Sequence, residues 1–432
     1  MNKLSSFIAL RYIVKGRQKS TLSLISLISV VGLALAVASL ITVLSVMDGY
    51  LSQMEEIILK TTSHANLYKM LGSFENYDEI SKKIEKVKEI KGSSPVIFNE
   101  VLVSSGKYIS GALINGVDTE KFGSVSDVPQ MMEEGKFVCL AKPEICLGNE
   151  EKEKDPLSEF LGEEPLVIPP IIIGIDMAQK LKVEKGSIVT VVSPKGGRKA
   201  GGDPEPISMN FKVVGIFSTG LHDYDSRYAY TSLEDTQNFL QIGKSVSFIS
   251  VRVDNLKNLE QAKHNMLEIS GGFPYSVQDW KEMHKTTFKF LQIQKIVMFI
   301  ILLFIVLVAS FGIITTLIML VITKTSEISI LRAMGVTKSV IVRIFLTDGM
   351  IIGAAGTALG TVLAVAMCLF LKNVKFPLSK EIYFFSSLPV EMSFTSFISV
   401  IAASLTVCMI VTLYPSIKAS RITPVEGLRY ER

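Results

Sequence analysis

The chain is poor in the residues that usually carry chemistry. It has 4 cysteines, 4 histidines and 1 tryptophan in 432 residues, and only 20% of its positions are charged. Four cysteines exclude a disulfide scaffold. Cys368 and Cys408 fall within apolar runs and read as small apolar residues. Cys139 and Cys146 lie outside those runs, where they either close a small loop around Lys142-Pro143-Glu144 or stay as two free thiols. No histidine lies near them in sequence, which argues against a metal site. The four histidines, His64, His222, His264 and His284, are scattered, and there is no H-E-x-x-H. His222-Asp223-Tyr224-Asp225 reads as a polar turn rather than a cation site, because its carboxylates are natural to turns. No G-x-x-x-x-G-K-[ST] occurs, so ATP is not bound by a P-loop, and no G-x-S-x-G elbow occurs. The net charge of +4 points to no nucleic-acid partner.

Apolar residues make up 48% of the chain, concentrated in four runs at about 21–47, 296–322, 349–371 and 394–417. A hydrocarbon core of about 30 Å needs about 20 helical residues, and each run meets that length. The expected fold class is therefore an α-helical membrane protein with four transmembrane helices. A large α+β extracytoplasmic domain would lie between the first and second. Lys3, Arg11, Lys15, Arg17 and Lys19 precede the first run without an acid among them. Lys324, Arg332, Lys338 and Arg343 follow the second, and Lys418, Arg421, Arg429 and Arg432 follow the fourth. Basic residues collect in cytoplasmic loops, so both termini and the 323–343 loop are expected inside. Ala34-Leu35-Ala36 resembles a signal-peptide cleavage site, but the apolar run continues well beyond it, as an uncleaved anchor does.

Residues 1–20 read as an amphipathic helix lying on the inner membrane surface. In the domain, 64–70, 96–104, 187–193, 211–218 and 248–253 read as strands, and 77–90, 233–240 and 256–269 as helices. Residues 139–166, with an acidic Glu-Lys-rich run, read as a solvated surface excursion. Residues 194–206 are rich in Gly and Pro and read as a long hairpin tip, either a floppy loop or a protein-docking finger. Residues 277–296 read as helix running into the second span. Arg343 and Asp348 sit at the inner end of the third span, from which both can reach the interface. A proton or ion relay needs charges deeper in the membrane, so ion-coupled transport is not expected.

The inner loop carries more pattern. Ser326 can cap a short helix, Gly335 can end it in the left-handed conformation, and Thr337 can cap the next. Ile328, Leu331 and Met334, three apart, form an apolar ridge beside charged Glu327 and Arg332. Such a helix is a docking element for a soluble protein; the alternative is an idle interfacial loop.

Glu327-Ile328-Ser329-Ile330-Leu331-Arg332-Ala333-Met334-Gly335 resembles the coupling helix of the MacB/FtsX-type ABC permeases. The tail from Tyr414-Pro415 to Glu431 is similar to that of the lipoprotein-releasing branch, LolC/LolE/LolF. So are Ser45-Val46-Met47-Asp48-Gly49 after the first run, and Glu381-Ile382-Tyr383-Phe384 through Leu388-Pro389 before the fourth. The four-span layout matches over nearly the whole chain, and the end motifs are specific only together.

The resemblance implies the division of the chain. A cytoplasmic helix at 1–20 precedes a first span at 21–47 and a periplasmic domain at 48–290. A second span at 291–323, a coupling helix at 324–339 and a third span at 340–371 follow. A periplasmic loop at 372–393, a fourth span at 394–417 and a cytoplasmic tail at 418–432 complete it. It further implies a non-enzymatic permease subunit in the bacterial inner membrane, with no cofactor of its own. ATP and Mg belong to two copies of a LolD-like ATPase, and a second permease, identical or paralogous, completes the transporter. The substrates are acylated lipoproteins taken from membrane lipid and passed to a LolA-like periplasmic carrier. Glu327, Ile328, Leu331, Arg332, Met334 and Gly335 would couple to the ATPase. Met47, Tyr383 and Phe384 match lipoprotein-cavity positions, although aromatic-belt packing explains them equally. Pro194, Gly196, Arg198, Lys199, Gly202 and Pro206 fall in the carrier-binding hook, which here lacks a proline near Ala200 and adds the two basic residues. Other readings are a MacB-type exporter, which commonly carries a fused ATPase, whereas about 20 residues precede the first span here; an FtsX-like transmitter controlling a cell-wall hydrolase; and a receptor or adhesin with an idle inner loop.

Overall fold

The computed structural model describes residues 20–147, 168–194, 206–374 and 388–423. The chain divides into two compact units, Met54–Thr286 and the remainder.

Helix α1 spans Ser20–Thr61. It outruns the apolar stretch ending at Met47 because Leu51, Met54, Ile57 and Ile58 keep helical spacing. The unit Met54–Thr286 is a ten-stranded sheet in the order β10-β1-β9-β2-β3-β8-β5-β7-β4, with β6 pairing β2 and β7. Its strands are β1 (Ala65–Lys69), β2 (Ile90–Ser105), β3 (Tyr108–Val117), β4 (Met132–Glu134), β5 (Pro170–Gly174), β6 (Ile188–Ser193), β7 (Ile207–Phe217), β8 (Tyr228–Ser232), β9 (Phe248–Val253) and β10 (Tyr275–Asp279). β3 with β8 and β5 with β7 are parallel, and all other pairs are antiparallel. Helices α2 (Tyr77–Ile84), α3 (Ile175–Leu181), α4 (Leu233–Leu240) and α5 (Leu259–Ser270) help close a core that includes Ile84, Ile114, Ile173, Phe211, Phe239 and Met266.

Several sequence expectations are corrected here. Helix α2 ends at Ile84, and Ile90 already opens β2. Val277 lies in β10, not in a helix; a single helical turn, Trp280–Met283, follows, capped by Asp279. The Asp279 carboxylate accepts from the Glu282 amide, which starts a new helix where 277–296 reads as continuous. The 222–225 segment, read as a polar turn, is a single helical turn whose His222 and Asp223 are exposed and whose second half turns inward. Tyr224 and Asp225 are buried, and Asp225 accepts hydrogen bonds from the Thr219 amide (2.8 Å), the Thr219 hydroxyl (2.7 Å) and the Gly220 amide (3.2 Å). Cys139 is also buried and is disulfide-bonded to Cys146 with a Cα–Cα distance of 5.9 Å. The start of the 139–166 excursion is thus part of the packed domain, and its acidic run lies outside the described residues.

The other unit holds the rest of α1 with α6 (Lys285–Thr323), α7 (Thr325–Ala333), α8 (Lys338–Asn373) and α9 (Phe394–Ser420). Among the described residues, α1, α6, α8 and α9 are long and apolar enough to cross a membrane. Leu33, Val37, Leu40 and Leu44 of α1 pack with Val306 and Ile313 of α6, Ala364 of α8 and Val400 of α9. Glycines let the backbones approach. A Cβ at Gly360 would lie 2.6 Å from the Ala34 carbonyl oxygen, and one at Gly349 would lie 2.2 Å from Thr412 Cγ2. Some polar side chains in this interior find partners on neighbouring helices: Ser29 Oγ donates to the Gly312 carbonyl (2.8 Å), and Thr357 Oγ1 meets Ser404 Oγ (2.9 Å). Asp348 does not reach an interface. It is 0% exposed, and neither carboxylate oxygen has a hydrogen-bond partner among the described residues.

Candidate functional site

Helix α7 begins almost where α6 stops. The helix starts at Thr325, two residues earlier than a Ser326 cap requires, and the Thr325 hydroxyl donates back to the Val321 carbonyl (2.9 Å). Lys324 takes the N-cap position without a capping side-chain bond, and Ser326 falls within the first turn. The other end follows the sequence closely. Gly335 adopts φ +90°. Its amide donates to the Arg332 carbonyl (3.1 Å) and that of Val336 donates to the Leu331 carbonyl (3.1 Å). These two bonds form a Schellman motif, which ends a helix through a left-handed glycine. Thr337 stands at the N-cap of α8, with its hydroxyl against Ser339 rather than a backbone amide.

The expected apolar ridge is split by packing. Ile328 is 1% exposed and sits with Val321, Ile341, Phe345 and Ala419. Leu331 is half-buried, whereas Met334 is 75% exposed. The face left open carries Glu327, Ile330, Ala333 and Met334. The opposite face is fastened to the end of α9: Ser329 Oγ donates to the Thr423 carbonyl (3.5 Å) and Arg332 Nη1 to that of Ser420 (3.4 Å). Last-turn carbonyls lack helical partners, so an arginine there both satisfies an acceptor and complements the helix dipole. Glu327 pairs with Lys324 across the first turn. Ile328 and Arg332 thus connect α7 to α6, α8 and α9.

Met47 is half-buried on α1. Tyr383 and Phe384 lie outside the described residues, as do Gly196, Arg198, Lys199 and Gly202. Pro194 and Pro206 bound the loop between β6 and β7, whose pairing continues to Ser193 opposite Ile207. The structure thus joins α7 to three long helices. Sequence reasoning missed the polar group of Asp48, Lys295 and Ser396 at the C-terminal end of α1's apolar run. Its signal was a charged residue directly after one apolar run and another directly before the next.

Residues 26–269 match the MacB-like periplasmic core domain family, and residues 299–424 match the FtsX-like permease C-terminal family. The lipoprotein-releasing system transmembrane protein LolC of Neisseria meningitidis serogroup B is 27% identical over 100% of both chains. LolE of Haemophilus influenzae is 27% identical over 98% of both. The periplasmic region of MacB from Actinobacillus actinomycetemcomitans aligns with 53% of this chain and 94% of its own at 13% identity, with a TM-score of 0.33. The first of these family matches spans more than half of the chain, and the two together cover both units. The chain belongs to the MacB/FtsX-type permease superfamily, as a membrane permease with a MacB-like periplasmic core domain.

Proposed function

We propose that this chain is the permease subunit of an ABC transporter that extracts acylated lipoproteins from the outer leaflet of the inner membrane and hands them to a periplasmic carrier. ATP hydrolysis resides in a separate ATPase, bound as two copies on the cytoplasmic side. The full-length similarity to proteins named for lipoprotein release carries this reading. The termini and α7 lie inside, following the placement of basic residues. The open face of α7 receives the ATPase, and Ile328 and Arg332 pass its movement to the spans. Extraction has a large energetic demand: each buried methylene of an anchor contributes about 0.8 kcal/mol to retention, so several chains need an apolar cavity in place of the bilayer. Met47, Tyr383 and Phe384 contribute to that cavity, and the 194–206 loop docks the carrier.

The experiment is mild-detergent purification from native membranes with mass spectrometry of what accompanies the chain. An ATPase together with triacylated lipoproteins is expected. An ATPase with a cell-wall hydrolase and no lipoprotein would replace this reading with mechanical signalling.

A further inference from the structure

Two stretches more than three hundred positions apart in sequence, 45–49 and 388–396, meet in the fold. Asp48 on α1 is the centre of the contact. One carboxylate oxygen pairs with the Lys295 ammonium of α6, and the other accepts a hydrogen bond from Ser396 Oγ of α9 (2.5 Å). One turn earlier, the Ser45 carbonyl accepts the Glu391 amide (3.0 Å). Beside them Gly49 lies against the chain leading into α9, where a Cβ would stand 2.3 Å from the Pro389 carbonyl oxygen. The Asp48 side chain is 10% exposed and that of Lys295 33%, so the pair is largely shielded from water. Losing one partner would leave a shielded charge uncompensated.

A second tie joins α1 and α6 near their other ends. Ser29 Oγ reaches the Gly312 carbonyl and Thr316 Oγ1, each at 2.8 Å. From Ser29 to Asp48 the helix rises about 28 Å at 1.5 Å per residue, close to the hydrocarbon thickness. The two helices are therefore fastened at both ends of a membrane-length segment, with the dry Leu33–Leu44 packing between.

We propose that Asp48, Lys295 and Ser396 are positioning residues that keep α1, α6 and α9 joined as one body throughout the transport cycle, so that substrate does not pass between α1 and α6 of one chain. The inference rests on the transporter reading above. The seam between these helices is a transmission element, and the lipid anchor travels along other faces.

The test uses the full-length permease with its ATPase in vesicles loaded with a triacylated lipoprotein, measuring lipoprotein released per ATP hydrolysed. Asp48→Asn and Lys295→Met are each expected to lower that ratio roughly tenfold while hydrolysis continues. The double exchange Asp48→Lys with Lys295→Asp is expected to recover most of it. Asp48→Cys with Lys295→Cys is expected to release poorly until a short bismaleimide joins the thiols, and then to improve. Wild-type ratios in the single variants, or a joined pair that releases less than the unjoined one, overturn the proposal. Spin labels at Ser52 and Phe290 supply a readout independent of substrate. Their separation is expected to stay within about 2 Å between the nucleotide-free and ATP–vanadate states, a span set by side-chain motion within packed helices; clear widening overturns the proposal. If wild-type protein releases no lipoprotein, the functional reading fails by itself, and the label distance still decides the tie.

Discussion

Single side chains divide here into those left exposed and those that hold the fold. Glu327 is exposed and Arg332 is turned to α9, so reversing their charges should act differently. Glu327→Lys is expected to weaken ATPase binding while leaving the helices packed. Arg332→Glu should uncouple hydrolysis from transport with the ATPase still bound, because it loosens α7 from α9. Pull-down of the ATPase alongside stimulated hydrolysis separates the two, and unchanged values in both variants would remove α7 from the coupling path. His64 shows the cost of burial. It is 8% exposed, and burial, helped by the nearby Arg252 guanidinium, pushes its imidazole down to about 4. The folded protein therefore leaves His64 neutral where the unfolded chain protonates it near 6.5. Stability from this site is complete above pH 6.5 and is lost as pH falls toward 4, by roughly 3 kcal/mol in all. Trp280, the single tryptophan, donates its amide to the His64 carbonyl (3.0 Å) and offers a local fluorescence probe. Thermal unfolding followed by that fluorescence should show a lower midpoint at pH 5 than at pH 7. His64→Gln should flatten the difference, and an equal slope in the variant would refute the assignment.

At the scale of elements, the long helices are placed by contacts between small residues rather than by shape-filling alone. Gly360 touches a backbone oxygen of α1, which cannot swing aside as a side chain can. Gly360→Val should separate α8 from α1 and destabilise the full chain in detergent by about 1–3 kcal/mol, the usual range for overpacking. Gly32, which has nothing near its would-be Cβ, supplies the control: Gly32→Ala should leave the melting temperature unchanged or higher. A similar loss at both positions would mean that the close approach at Gly360 does not set the effect. The domain's strands followed a different logic. β2, β6, β7 and β9 were legible because runs rich in Val, Ile and Phe alternate or cluster there. β4 has only three residues, and β8 and β10, no shorter than the legible β1, lack a Val-, Ile- or Phe-rich run that would set them apart from loop.

Across the whole molecule, the chain divides into a sheet unit and a helical unit. Pro194 and Pro206 bound a loop whose flanking strands are paired to its base, so the loop can be removed without unthreading the sheet. Deleting 195–203 is expected to block hand-off to the carrier while ATP hydrolysis continues, measured as lipoprotein left on the permease after hydrolysis. Normal hand-off would remove the carrier-docking role. The sequence by itself determined the four apolar runs, the uneven placement of the mixed domain, and the left-handed end of α7 at Gly335, because periodicity and caps depend only on near neighbours. It could not determine that Ile328 turns inward, that Asp348 is buried without a hydrogen-bond partner among the described residues, or that Asp48 meets Ser396. Those facts depend on which surfaces come together through space. A residue's partners across a packed interior are fixed by the approach of distant helices, which local spacing does not encode.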